Sequence, residues 1–242
     1  MSLVDPPGSR RHFLRSSLSL LPVVTLGGCS VAASPSGIEP GAGKASAGHD
    51  QKYHPRFFSD AEWAFIHAAT SRLIPADQLG AGALEAGVPE FIDRQMLTPY
   101  ASGALWYMHG PFHADAPATM GYQLKLVPQQ VYRLGISAAE TAIKQTTGKT
   151  FAELDESDQI AWLKKLEAGE VVFEQVPAKT FFALLLQNTR EGFFCDPIHG
   201  GNKDMVGWTL VGFPGARADF MDWVERNEAY PFPPVSIDGA RG

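Results

Sequence analysis

The chain has 242 residues, 45% hydrophobic and 19% charged, and a formal net charge of −6 from 20 basic and 26 acidic side chains. That balance leaves no case for disorder throughout and supplies apolar material for one sizeable core. An acidic chain without a Lys/Arg stripe also argues against nucleic acid as a partner, because phosphate contacts dominate affinity there.

In chain order, the first element is Ser9-Arg10-Arg11-His12-Phe13-Leu14-Arg15, followed at once by an apolar run from Leu18 to Leu26. The pair Arg10 and Arg11, with Phe13 and Leu14 behind it, forms a twin-arginine export signal. It predicts export of the folded protein to the periplasm by the twin-arginine translocase. That route mostly serves proteins that load a cofactor, or bind a cofactor-bearing partner, before crossing. The apolar run contains Pro22 and is far shorter than the roughly 20 residues of a spanning helix, so it reads as an address and not an anchor. The plainer reading is an exposed basic N-terminus of a cytoplasmic protein.

Two cleavage readings stand side by side. Leu26-Gly27-Gly28-Cys29 fits a lipobox, which would lipidate Cys29 and hold the protein at the inner membrane. Val31-Ala32-Ala33 fits an ordinary small-residue site and would release a soluble subunit. Loss of residues 1–33 leaves 17 basic and 25 acidic side chains, a balance of −8. Either route leaves Cys195 as the only cysteine of the folded part, so no internal disulfide is expected. Cys195 reads as a buried small apolar residue, with a bridge to a partner chain or a reactive thiol as the alternatives.

Residues 34–55 are rich in Gly, Ser, Ala and Pro and read as a flexible linker, with order beginning near Phe57. Ser59 and Glu62 make a capping box for a helix carrying Trp63, Ile66, Ala69 and Leu73 at helical spacing up to Pro75. Gly80 to Gly87 is a loop, and Pro89 then opens a helix through Phe91, Ile92, Gln95 and Met96. Pro99 to Pro128 is an ordered, Gly-, Pro- and aromatic-rich loop. Within it His109 and His113, with Trp106, Tyr107 and Phe112, are either satisfied loop side chains or a ligand or partner surface.

A helix from about Gln129 to Thr146 stops at Gly148, and another from Glu156 to Leu166 is capped by Asp155 and stopped by Gly169. Pro177 opens the most apolar helix, hydrophobic nearly all round and hence central, ending near Glu191-Gly192. A Gly-rich loop to about Pro214, a short helix from Ala216 to Glu225 and an extended Pro-rich tail over 231–242 complete the chain. The expected fold is mainly α: a single helical domain over 56–230 with long ordered Gly/Pro-rich loops. There is no G-x-G-x-x-G after a strand, no G-x-S-x-G, no H-E-x-x-H, no haem-attachment motif and no cysteine set for an iron–sulfur cluster, so no cofactor is expected in this chain.

The run Glu191-Gly192-Phe193-Phe194-Cys195-Asp196-Pro197-Ile198-His199-Gly200-Gly201-Asn202-Lys203-Asp204-Met205-Val206-Gly207-Trp208, continuing to Gly212-Phe213-Pro214-Gly215, resembles the C-terminal signature of the gluconate 2-dehydrogenase subunit 3 family. So do Arg72-Leu73-Ile74-Pro75-Ala76-Asp77, Glu85-Ala86-Gly87-Val88-Pro89, Phe91-Ile92-Asp93, Trp106-Tyr107, Gly110-Pro111-Phe112 and Gly121-Tyr122-Gln123, in family order. The resemblance implies a small exported subunit whose partners are a large FAD-dependent sugar-acid dehydrogenase and a multihaem cytochrome c that passes electrons to quinone. It implies no catalytic residues here, but roles in export, maturation and stability of the flavoprotein, with D-gluconate or a related sugar or sugar acid as the partner's substrate.

On its own residues the signature segment has two readings. Asp196, His199 and Asp204, with Glu191 nearby, could form a metal or acid–base constellation on a loop opened by Gly200 and Gly201, as in a free-standing exported enzyme. Alternatively, Asp196-Pro197 starts a turn, the glycines supply positive φ, Asn202 caps loop backbone, and Cys195 to Trp208 is a structural, partner-facing loop. A lipid-anchored binding module without a redox partner is the third possibility for the whole chain.

Overall fold

The computed structural model describes residues 53–113 and 115–242; the twin-arginine segment, Cys29 and the linker up to residue 52 lie outside them. The described residues form α-helices and 3-10 turns with three isolated β-bridges and no strand.

Helix α1 (Asp60–Leu73) starts at the Ser59/Glu62 capping box: Glu62 Oε2 accepts from the Ser59 amide at 2.8 Å, and Ser59 Oγ faces the Glu62 amide. Of the residues at helical spacing Ile66 and Ala69 are buried and Trp63 and Leu73 are partly buried, and Phe65, outside that set, is buried as well. Helix α2 (Val88–Gln95) follows Gly87, whose φ of 72° suits glycine, and carries Pro89 in its first turn. Helix α3 (Pro128–Thr147) ends at Gly148 with φ 72°. Helix α4 (Glu156–Ala168) is capped by Asp155 Oδ1, which accepts the Asp158 amide at 2.9 Å, and stops at Gly169.

Helix α5 (Ala178–Phe194) is the centre of the domain, packing against α1, α2, α3, α4 and the short α6 (Val206–Val211). It is not apolar all round. Phe181, Phe182, Leu185 and Phe193 are buried, whereas Lys179, Ala183, Gln187 and Arg190 form a solvent-facing stripe. Two glycines allow its close approaches: a Cβ on Gly135 of α3 would collide with the Phe181 ring, and one on Gly192 would lie 2.7 Å from Phe91 Cδ1 of α2. Each fully buried Phe contributes on the order of 1.5–3 kcal/mol.

One polar network crosses this core without an unsatisfied atom. Tyr132 is fully buried and donates to Asn188 Oδ1 at 3.0 Å, and Asn188 Nδ2 donates to Glu191 Oε2 at 2.8 Å. Burial first, and the nearby Tyr100 and Glu191 next, hold the Tyr132 phenol well above its ordinary range.

Three local expectations change. The stretch read as one loop to Pro214 contains 3-10 turns at Pro197–His199 and Lys203–Met205 and then α6. The expected helix over Ala216 to Glu225 is a 3-10 segment at Ala218–Trp223, whose Phe220 and Trp223 rings meet Tyr230 edge-on at 5.4 and 5.7 Å. The tail over 231–242 folds back: Val235 bridges both Gly215 and Arg241.

Candidate partner-contact site

Cys195 closes α5, and Asp196 begins a turn in which its Oδ1 accepts the Ile198 amide at 3.1 Å. Oδ2 of the same carboxylate accepts the Ile237 amide of the tail at 2.8 Å. Gly200 and Gly201 then pass where no side chain fits: a Cβ on Gly200 would lie 2.8 Å from Arg94 Cδ, and one on Gly201 would strike the Gly192 carbonyl.

Asn202 is the keystone of the loop. Fully buried at φ 44°, it donates from Nδ2 to the Cys195 carbonyl at 2.8 Å and accepts the Gly207 amide on Oδ1 at 2.8 Å. It thus joins the end of α5 to the start of α6. Asp204 and Met205 follow at φ 55° and 53°, so three non-glycine residues in four occupy the left-handed region. Such a run persists only where surrounding contacts over-determine it. Here those contacts are the Asn202 bridge, the Lys203 amide on the Ala86 carbonyl at 3.0 Å, and Trp208 Nε1 on the Phe194 carbonyl at 2.7 Å.

The loop is also fastened to α2. Lys203 Nζ lies 2.5 Å from Glu90 Oε2, and Glu90 Oε1 pairs with Arg94. The Glu85–Pro89 turn and the Gly200–Lys203 turn therefore interlock, as the Lys203 chain also fills the space beside Gly87. The next acidic residue of α2, Asp93, is fully buried and gathers the N-terminal edge of the domain. It accepts the Phe57 and Phe58 amides at 3.0 Å each, the Arg56 amide at 2.8 Å and the Tyr53 hydroxyl at 2.7 Å. Burial, then the Asp93 carboxylate, pushes the Tyr53 phenol upward. Tyr53, within the stretch read as linker, is already tied down.

The residues of the metal or acid–base reading do not converge. Both Asp196 oxygens hold backbone amides, His199 and Asp204 are exposed, and Glu191 accepts from Gln187 and Asn188. Among the described residues no group of three or more His, Cys, Asp or Glu is placed to hold a metal ion. Cys195 is free and partly buried; burial pushes its thiol up to about 11.

His109 and His113 stand exposed. Trp106 lies between Tyr100 and Tyr122, with centroids at 5.8 and 4.9 Å. Arg10, Arg11, Phe13, Leu14 and Cys29 lie outside the described residues. Among the described residues no helix is long and apolar enough to cross a membrane.

Sequence reasoning missed Glu90, Arg94, the anchoring role of Asp93, and Ile237. The signal for the first three was an acidic, basic-flanked face on a short amphipathic helix; a backbone amide such as that of Ile237 leaves no sequence trace.

No curated protein and no solved structure matches the chain. Residues 60–215 match the family Gluconate 2-dehydrogenase subunit 3, a span that runs from α1 to Gly215 and includes both interlocked turns. The chain belongs to the gluconate 2-dehydrogenase subunit 3 family.

Proposed function

We propose that the chain is the accessory small subunit of a periplasmic, membrane-associated dehydrogenase complex of the gluconate 2-dehydrogenase type. In this reading an FAD-containing large subunit oxidises D-gluconate or a related sugar or sugar acid. A multihaem cytochrome c takes the electrons onward to quinone. The small subunit supports export, maturation and stability of the flavoprotein, with Arg10 and Arg11 addressing the pair to the twin-arginine translocase.

The observation that carries this proposal is the family match over residues 60–215. The geometry agrees with it. The signature residues are spent on holding a strained loop in one shape: Asp196 and Asn202 both engage backbone and neither points at a shared reacting position. The competing reading, an enzyme using Asp196 and His199, would need a carboxylate within hydrogen-bond reach of an activated group.

The test is co-purification followed by spectroscopy. Expressed with its complex, the tagged chain should bring down a flavin-containing polypeptide with dye-linked gluconate oxidation. Expressed alone, it should show no visible absorbance and no such activity. A stoichiometric chromophore surviving gel filtration of the isolated chain, or turnover by it, would sink the accessory-subunit reading.

A further inference from the structure

Residues 171–176, which join α4 to α5, are seated by apolar contact alone. Among the described residues none of them makes a hydrogen bond, an ion pair or a ring contact. Backbone without protein partners is left to water, so nothing polar ties this segment to the domain. Val176 is 1% exposed and Val171 and Phe173 pack partly buried against the core, while Val172 stands 91% exposed.

Hydrogen bonds resume at both ends. The Glu170 amide donates to the Lys165 carbonyl at 3.0 Å, behind α4, and the Phe181 amide donates to the Pro177 carbonyl at 3.1 Å, at the start of α5. The two ends also meet. Gly169 lies at φ 70° with the Lys179 chain against it, where a Cβ would fall 2.7 Å from Lys179 Cε. The segment therefore leaves and re-enters the domain at one neck, held closed by the packing of α4 on α5, in the manner of an Ω-loop. A loop on a closed neck can move without displacing either helix.

Its surroundings leave it room. A cavity of about 430 Å³ lies between the segment and the face of α3 that carries Leu134, Ala138 and Ala142. A second, of about 500 Å³, lies between the segment, Leu124 and the neck. Close packing is what normally holds a core side chain in place; Phe173 borders both of these spaces.

We propose that residues 171–176 form a flap that opens as a unit, hinged at Glu170 and Pro177, and bares the apolar face of α3, the seated flap being the occupant of that groove. Segments with few buried contacts and no backbone bonds are those that open locally while the rest of a fold stays closed. The proposal is independent of the accessory-subunit reading, and its test needs no partner.

The experiment uses the full chain and alkylation by iodoacetamide in native buffer, read by peptide mass spectrometry so that Cys29 and Cys195 are counted separately. Val176→Cys should be alkylated at least about 10-fold faster than Ile143→Cys, a fully buried position of α3, because only the first is reached by local opening. Below the unfolding transition the Val176→Cys rate should hardly change with urea, since a local opening exposes little surface, whereas the Ile143→Cys rate should rise steeply. Phe173→Ala, which removes the largest seated side chain, should widen the ratio between the two rates. Hydrogen exchange of the wild-type chain supplies a check without a cysteine: the amides of residues 171–176 should exchange freely, and those of Glu170 and Phe181 should stay protected as the two ends of the moving unit.

Equal alkylation rates with equal urea dependence would mean that the segment opens only with the whole domain, and the proposal falls. Exchange at Glu170 and Phe181 as fast as within the segment also overturns it, because the neck would then be open. A Phe173→Ala variant that leaves the ratio of the two rates unchanged removes Phe173 as the seat of the flap and with it the proposed movement.

Discussion

Lys203 Nζ sits 2.5 Å from Oε2 of Glu90, and the other oxygen of that buried carboxylate pairs with Arg94, so a single residue of α2 fastens the signature loop from across the fold. Glu90→Gln should therefore cost more than Lys203→Met. The first leaves two cations without their partner; the second leaves Glu90 still paired with Arg94. Both cations are partly exposed, so the expected loss for Glu90→Gln is about 1–3 kcal/mol, below that of a fully buried pair. Urea unfolding of both variants beside the wild type decides it: equal midpoints for the two variants would overturn the ranking, and midpoints equal to that of the wild type would show that the pairing contributes nothing.

Asn202 should be harder to replace than any other polar residue of the loop. Asn202→Ala strands the Gly207 amide and the Cys195 carbonyl and places a residue unsuited to it at φ 44°. The combined expectation is about 2–5 kcal/mol, from an unpaired buried group at about 1–3 and a left-handed backbone at about 1–2. Asn202→Gly removes the bonds but not the fit of the backbone, and should fall between wild type and Asn202→Ala. If the two variants unfold at the same denaturant concentration, the backbone part of this account is wrong.

Burial holds the Cys195 thiol at about 11, against 9.0 for an unperturbed thiol, so at pH 8 its thiolate fraction is lower by roughly 10²-fold. Alkylation of the native chain by iodoacetamide at pH 8 should be slower than that of the urea-unfolded chain by about that factor, and should rise steeply towards pH 11. The folded state holds this proton more tightly than the unfolded state. The corresponding stability is therefore present below pH 9 and is lost as the pH rises from there to 11. Equal native and unfolded labelling rates would contradict the buried placement.

Export should depend on the paired arginines. Lysine lacks the planar fork of arginine, so Arg10→Lys with Arg11→Lys is expected to retain both this chain and the flavoprotein in the cytoplasm. Fractionation that finds normal periplasmic dehydrogenase activity in that variant would end the shared-export proposal.

His199 separates assembly from chemistry. His199→Ala should lower the yield of assembled complex or leave it unchanged, with flavin-normalised turnover near wild type. Loss of an acid–base group would give intact assembly with turnover reduced by roughly 10²-fold or more. Measuring both quantities on one preparation distinguishes the two outcomes.

The helices legible in the sequence are those whose ends are written locally. Ser59 with Glu62, Asp155, Gly148 and Gly169 each cap within a few residues of themselves, and the bounds of α1, α3 and α4 follow. Helix α6 was not legible: its start is set by Asn202, Asp204 and Met205 at positive φ, and although Asn and Asp tolerate that region, their presence in a Gly-rich loop does not reveal that they adopt it. The stripe of α5 around Gln187 and Arg190 was hidden because the Phe181 to Leu186 run dominates any reading of that helix. Within the candidate site, the turn-forming role of Asp196-Pro197 could be read directly, whereas the Lys203–Glu90 pair spans more than a hundred residues and leaves no periodic trace.

Helix α2 has a mechanical consequence. Asp93 moors the segment Tyr53–Phe58, and Glu90, one turn earlier, moors the loop that the C-terminal tail clasps. Part of any tension applied through the two ends of the folded domain therefore reaches an eight-residue helix, in opposite directions and within a single turn. Pulled in an optical trap, the domain should yield there first, with Asp93→Ala lowering the rupture force and substitutions in the α3–α5 contact leaving it unchanged.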